Sequence, residues 1–362
     1  MPLVDIIAGA RPNFVKIAPV INALQSNEIN NALKFRLIHT GQHYDQSMSK
    51  DFFAQLNIPA PDHNLSVGSG SQAEQTANIM LKYEQLLLEN ACDYCLVFGD
   101  VNSTIAAALT AKKLNLLVGH VEAGIRSGDR FMPEEINRLA TDAISDHFFT
   151  TSREASSNLE SEGASAEVIH FVGNVMIDTL LKNQSRFSAP QFWETFKFKK
   201  KRYVLLTMHR PENVDRKLVL SKLLTAISMA AEMPIIFPAH PRTKQVLETI
   251  GKIPENIFVV SPQAYLEFGF LVKYAALIIT DSGGVTEEAT VLNVPCITLR
   301  ETTERPETVN VGTNILVGRD IEQLRTFIGK ASHGDWKTGG IPEKWDGKSG
   351  MRIAKLLESK LV

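Results

Sequence analysis

The chain has 362 residues, 44% of them hydrophobic and 22% charged. That composition is ordinary for a globular protein and wrong for a disordered one, and at roughly 150 residues per domain the length predicts two or more domains. Lys plus Arg number 38 and Asp plus Glu 40, a formal charge of −2, which excludes a broad basic field for nucleic acid or an anionic membrane and leaves any anionic ligand to a few placed cations and backbone amides. No apolar run approaches the roughly 18 to 20 residues that span a bilayer, and the first residues lack the basic and apolar regions of a secretory signal. Three cysteines, Cys92, Cys95 and Cys296, make no disulfide framework, so the expectation is a cytoplasmic protein.

One pattern repeats from the N-terminus: a short β-branched apolar run, a Gly-rich or polar turn, then a stretch of helical periodicity. Residues 3–8 read as a strand, residues 9–12 as a turn, and residues 13–24 as a helix with Phe14, Ile17, Val20, Ile21 and Leu24 on one face. Further strands are expected at 35–39, 94–98, 116–121, 147–150 and 168–172, with helices near 71–90, 102–113, 133–145 and 153–161. Strands alternating with helices predict a parallel sheet covered on both faces, with ligands gathered at the carboxyl ends of its strands. Around residues 183–201 the pattern stops, and the basic run at 197–202 reads as a solvated linker face. It restarts at 203–207 and continues through 234–237, 257–260, 277–280, 295–299 and 314–317. Residues 350–361 read as an amphipathic helix with no strand after it, which returns to pack on a domain already formed. The expected organisation is therefore α/β: residues 1–182 as one domain, 183–345 as a second across a cleft, and 346–362 as a tail. Two α/β domains in that arrangement hold their ligand between them.

Several turns carry residues suited to chemistry. Gly9-Ala10-Arg11-Pro12 joins a strand to a helix, so its free amides and the helix dipole favour an anion, with Arg11 and Lys16 as added cations. It is neither the dinucleotide fingerprint nor a Walker loop. Asp281-Ser282-Gly283-Gly284 has the same strand–turn–helix setting. There Ser282, Gly283 and Gly284 let a diphosphate approach the helix start, and Glu288 one turn later can accept from ribose hydroxyls. The competing reading is an Asp N-cap with a tight turn.

Asp100 follows one strand, Glu122 ends the next, and Glu134 opens a helix behind Pro133. Strand ends of a parallel sheet share one rim, so these carboxylates are expected to meet, and crowding would raise the pKa of at least one into the range of a general acid or base. His209 and His240 each follow a strand beside an arginine, suited to phosphate contact or proton transfer. His43 and His120 are assigned no chemistry. Cys92-Asp93-Tyr94-Cys95 leads into a strand rather than a helix and lacks a second pair, so it reads as core packing and not as a zinc or redox site. No metal site is expected. Gly68-Ser69-Gly70-Ser71 reads as a flexible hinge.

Taken together, these segments resemble the non-hydrolysing UDP-N-acetylglucosamine 2-epimerases from the first strand to the last helix. The resemblance is carried by Gly9-Ala10-Arg11-Pro12, Thr40-Gly41-Gln42-His43, Phe98-Gly99-Asp100, His120-Val121-Glu122-Ala123-Gly124, Pro133-Glu134-Glu135-Ile136-Asn137-Arg138, His209-Arg210, Asp281-Ser282-Gly283-Gly284 with Glu287-Glu288, and the run 300–307. It implies two Rossmann-like domains in the glycosyltransferase-B arrangement, a C-terminal helix crossing back to the first domain, and a homodimer. It also implies interconversion of UDP-GlcNAc and UDP-ManNAc for polysaccharide precursor synthesis, through loss of UDP to a 2-acetamidoglucal and its re-addition, with no cofactor. In that scheme Asp100, Glu122 and Glu134 are the acid and base groups. Arg11, Lys16 and His209 stabilise the departing diphosphate, Ser282, Gly283 and Gly284 hold phosphate, Glu288 holds the ribose, and Arg138 positions the acids. The chain departs from the family at Arg210-Pro211-Glu212-Asn213, a form shared with relatives acting on UDP-2,3-diacetamido-uronates or 6-deoxy sugars. The family's allosteric substrate site is only partly matched: Gln42 is present, Asp45 stands where a glutamine is usual, and 66–71 has no arginine. A glycosyltransferase on the same fold, a hydrolysing epimerase and a non-catalytic UDP-sugar sensor are the competing readings.

Overall fold

The computed structural model describes residues 1–9, 11–29, 33–41 and 53–362, except the side chains of residues 11 and 12. The chain divides into two compact units, Met1–Lys182 with Glu343–Val362, and Asn183–Pro342. In chain order the first contains β1 (Leu3–Ala8), α1 (Arg11–Leu24), β2 (Lys34–His39), β3 (His63–Asn64), α2 (Gln72–Glu89), β4 (Tyr94–Phe98), α3 (Asn102–Lys113), β5 (Leu117–Ala123), α4 (Pro133–Ile144), β6 (His147–Thr150), α5 (Arg153–Ser161), β7 (Ile169–Phe171) and α6 (Val175–Asn183). The second contains α7 (Phe192–Thr195), β8 (Val204–Thr207), α8 (Pro211–Val214), α9 (Lys217–Ala230), β9 (Ile235–Pro238), α10 (Pro241–Ile250), β10 (Ile257–Val260), α11 (Tyr265–Tyr274), β11 (Leu277–Thr280), α12 (Gly283–Val291), β12 (Cys296–Thr298), α13 (Pro306–Asn310), β13 (Asn314–Leu316) and α14 (Ile321–Ser332). A last helix, α15 (Ser349–Leu361), belongs to the first unit.

Both sheets are parallel, as the strand–helix alternation requires. Their orders are β3-β2-β1-β4-β5-β6-β7 and β10-β9-β8-β11-β12-β13. Helices cover both faces, so the central strands are apolar runs rather than alternating ones: every residue of β4 is buried. In each unit the strand order reverses once, between β1 and β4 and between β8 and β11. The crevice above such a reversal is where open α/β sheets bind ligands; in the first unit the turns at Gly9 and Gly99 follow the two strands that flank it, and in the second those at His209 and Asp281 do.

The tail helix docks on α1, with Gly350 close against the Pro19 backbone. Asp178 of α6 accepts the Gly350 amide at 2.7 Å, satisfying a donor at the start of α15 that a local cap would otherwise take. Two expectations change. The stretch 183–201 is not a bare linker: Trp193 is 6% exposed and packs edge-on against Tyr203 and Phe270. The basic run beside it is partly seated too, Lys200 lying 3.9 Å from the Tyr274 ring centroid. Nor is 68–71 simply a hinge. Ser71 caps α2, its hydroxyl accepting the Glu74 amide at 3.3 Å while Glu74 accepts the Ser71 amide at 2.8 Å.

Candidate active site

In the first unit the carboxylates at the strand ends are held by cations. Lys16, in the second turn of α1 and 8% exposed, reaches Glu122 Oε2 at 2.6 Å. Arg138 of α4 donates to Asp100 Oδ2 from Nε at 3.0 Å and Nη2 at 2.6 Å, and to Glu135 Oε2 from Nη1 at 2.5 Å. Glu135 also accepts the Ser127 and Gly128 amides, at 3.0 Å each. Burial works against its charge, but those amides and Arg138 hold the carboxyl below the usual range. Glu134 stands exposed on the first turn of α4. The turns are tied to one another: the Asn13 side chain donates to Phe98 O at 3.1 Å and accepts the Gly9 amide at 3.3 Å. Crowding among carboxylates was expected, and compensation by basic residues is what the geometry provides.

Glu122 has φ +68°, a left-handed conformation that a non-glycine residue adopts only when its surroundings impose it. The register between β5 and β6 shifts at that point, between Val121 and Ala123. This bulge has a clear effect. Alternation along β5 would send His120 and Glu122 to the same helix, yet His120 reaches Asp142 of α4 and Glu122 reaches Lys16 of α1. Two glycines make room. Gly99, at φ +66°, leaves a space 2.8 Å from Lys16 Nζ, and Gly124, at φ +76°, lies so close to α5 that a Cβ would meet Ala155 O at 2.1 Å.

In the second unit Asp281, fully buried behind β11, organises the turn after β8. It takes the His209 ring at Nδ1, 2.8 Å away, together with the His209 and Arg210 amides at 3.1 Å and Asn213 Nδ2 at 3.0 Å. Burial opposes its charge, but His209, Asn213 and the Arg210 amide keep the carboxyl below its ordinary value. The His209 side chain is 58% exposed, so its Nε2 is presented outward on a ring of fixed orientation. Ser282 stands at the N-cap of α12 with no side-chain cap bond, and Gly283 and Gly284 form its first turn. Beside that turn Glu304 pairs with Arg300 at 2.5 Å and fills the space over Gly283. Glu288 is buried, and burial together with the Glu287 charge pushes its carboxyl up to about 8. His240 caps α10, Nδ1 accepting the Arg242 amide at 3.3 Å. The sites at Arg11, Gln42, His43 and Asp45 lie outside the described side chains.

Sequence reasoning missed His120, Asp142, Glu135, Asn213 and the organising role of Asp281. Only Glu135 left a trace, as the i,i+3 partner of Arg138 on one helix.

Two parallel-sheet α/β units, each with polar groups at its switch point, define the glycosyltransferase-B-like class. The family profile described as UDP-N-acetylglucosamine 2-epimerase matches residues 25–358. The chain is 45% identical to the UDP-N-acetylglucosamine 2-epimerase of Methanococcus maripaludis over 98% of both chains, and 38% identical to the UDP-2,3-diacetamido-2,3-dideoxy-D-glucuronate 2-epimerase of Pseudomonas aeruginosa over 97% of this chain and 98% of that one. The crystal structure of the Methanocaldococcus jannaschii UDP-GlcNAc 2-epimerase in complex with UDP-GlcNAc and UDP superposes with a TM-score of 0.86 at 43% identity, covering 99% of this chain and all of the other. The chain belongs to the UDP-N-acetylglucosamine 2-epimerase family. No helix among the described residues is long and apolar enough to cross a membrane.

Proposed function

We propose that the protein interconverts UDP-GlcNAc and UDP-ManNAc. The observation that carries the reading is Glu122, re-aimed by a bulge onto Lys16 at 2.6 Å, in a family whose members named above act on UDP-sugars at C2. In the intact substrate no carbonyl acidifies the C2 proton. Heterolysis of the C1–O bond sends its electron pair to UDP and builds positive charge at C1. A carboxylate then takes the C2 proton, and the C2–H electrons form the C1=C2 bond of a 2-acetamidoglucal. Protonation of C2 from the other face and return of UDP to C1 give the epimer. No step of this route moves a hydride, so it needs no nicotinamide. Asp100, Glu122 and Glu134 carry the protons. Lys16, Arg11 and His209 oppose charge that develops on the diphosphate only as the bond breaks, which makes their contribution catalytic rather than merely binding. Ser282, Gly283, Gly284 and His240 hold the diphosphate side, and Glu288 hydrogen-bonds the ribose hydroxyls.

Incubation with UDP-GlcNAc in D2O is expected to place deuterium at C2 of both epimers without net release of UDP. Stable UDP release would point to hydrolysis or transfer, and unlabelled sugar would reject the proposal. The 38% identity to the diacetamido-glucuronate enzyme and the Pro211–Asn213 form of the His209 turn favour one second reading, a UDP-sugar modified at C3 and C6. A panel of the two substrates separates them.

A further inference from the structure

We infer that His120 and Asp142 form a pin that fixes the two strand ends carrying Asp100 and Glu122, and that His120 is thereby a positioning residue for the proton transfers proposed above, on which this inference rests. His120 is fully buried in β5. Its Nε2 lies 2.7 Å from the carbonyl of Gly99, the residue before Asp100, and its Nδ1 lies 2.6 Å from Asp142 Oδ1. The second oxygen of Asp142 accepts the amide of Gly124, two residues after Glu122, at 3.0 Å, and takes Arg126 Nη1 at 2.7 Å. Arg126 is anchored in turn by Glu162, at 2.8 Å from Nε.

The pin begins where the sheet stops. The last bond of the β4–β5 edge is the Gly99 amide to Val121 O at 2.9 Å, and Asp100 and Glu122 both lie beyond it. Past that bond no β4–β5 ladder among the described residues holds the two carboxyl-bearing residues at a set separation, and Ala123 pairs on its other side only, with Thr150 of β6. His120 and Asp142 supply side-chain bonds to the backbone on either side, at Gly99 and Gly124. The positive φ of Glu122 needs such a restraint, because a left-handed residue relaxes unless its neighbours are fixed. The proton count agrees with the geometry. A carbonyl oxygen only accepts, so Nε2 donates to Gly99. A neutral ring would then turn a lone pair toward a carboxylate, so ring and carboxyl together carry one further proton between Nδ1 and Oδ1. Arg126 and Glu162 balance the remaining charges.

Asn and Gln separate the two bonds. His120→Gln keeps a donor at the Nε2 position for Gly99, and His120→Asn keeps one at the Nδ1 position for Asp142. Wild type and both variants are compared by kcat, KM, C2 deuterium exchange, UDP affinity and melting temperature. Because displacement by about 1 Å can cost on the order of 100-fold in rate, His120→Asn is expected to lower kcat and C2 exchange together by about that factor, with KM and UDP affinity kept. His120→Gln cuts the Asp142 bond instead and is expected to lose kcat and C2 exchange in the same way. Wild-type kcat in either folded variant, or a loss confined to KM or to UDP affinity, overturns the pin. If His120→Asn does not fold, Arg126→Met removes the outer partner of Asp142, along with its own bonds to Glu162 and Ile125 O, and is expected to reduce kcat at unchanged KM. An unchanged kcat there overturns the inference as well. Wild-type protein that exchanges no deuterium with any UDP-sugar defeats the proposed function itself, a result distinct from any pattern among the variants.

Discussion

Lys16 Nζ and Glu122 Oε2 stand 2.6 Å apart, one from α1 and the other from a bulge in β5, with both side chains almost wholly out of water. A pair so buried offsets its own desolvation poorly, but removing one partner leaves the other charge without compensation, at about 3 to 5 kcal/mol. Lys16→Met should therefore cost stability on that scale in chemical denaturation. The double variant Lys16→Met/Glu122→Gln should recover much of it while remaining inactive. Additive losses would mean that the two groups do not stabilise one another.

Gly99→Ala tests the same pair from the backbone. A methyl at Gly99 would lie 2.8 Å from Lys16 Nζ, on a residue at φ +66°. The left-handed conformation costs a non-glycine residue about 1 to 2 kcal/mol, and the lysine tip yields more easily than backbone. The variant is expected to fold with a modestly lower melting temperature and to lose most of its kcat. Full activity would show that the Lys16–Glu122 contact does not matter to turnover.

Asp281→Asn keeps the shape of the second turn but substitutes an amide for the acceptor that His209 Nδ1 meets at 2.8 Å. The ring then loses its fixed tautomer and the charge beside it. Loss of one positioned group that opposes developing charge costs about 10²- to 10³-fold, and a drop of at least the lower figure in kcat is expected. Asn213→Ala, which removes only one of the bonds to Asp281, should do less harm. Steady-state kinetics on both variants check the order.

Stability should also depend on pH in a way set by Glu288. Its carboxyl is raised from 4.5 to about 8 in the fold, so between those values the native state holds a proton that the unfolded chain has released. Stability therefore falls as pH rises through that window, with a slope approaching about 1.4 kcal/mol per pH unit, and levels off above it. Asp178, raised from 3.8 to about 6 by burial, adds a smaller fall of the same sign at lower pH. Melting temperatures across pH 5 to 9 should flatten in Glu288→Gln, and an unchanged profile would remove Glu288 as the cause.

The three cysteines should be silent. Burial pushes the Cys92 thiol up to about 12, and it raises the Cys95 and Cys296 thiols as well. Thiolate is the reactive form, so native protein should consume no thiol reagent over a period in which unfolded protein consumes three equivalents, with activity unchanged.

Much of the fold was legible because its signals are local. β1, β4, β6, β8 and β11 begin or end within a residue of the apolar runs that announced them, since a strand buried on both faces must be a short continuous apolar segment between turns. Strand ends pointed to Asp100, Glu122, His209 and the Ser282–Gly284 turn for the same reason: a parallel sheet directs its carboxyl ends to one rim. The stretch around Trp193 was illegible because Phe270, which its ring packs against, is strands and helices away.

The sequence by itself determined the two α/β units, their order of elements and the residue types at each rim, all of which follow from periodicity and turn chemistry within a few residues. Tertiary structure alone decided that Glu122 turns to Lys16 through a bulge, that Asp142 joins His120 across 22 positions, and that Asp281 orients His209 from 72 positions away. Such pairings depend on which strands become neighbours, and no periodicity in the chain encodes a contact between residues that only the closed sheet brings within hydrogen-bonding distance.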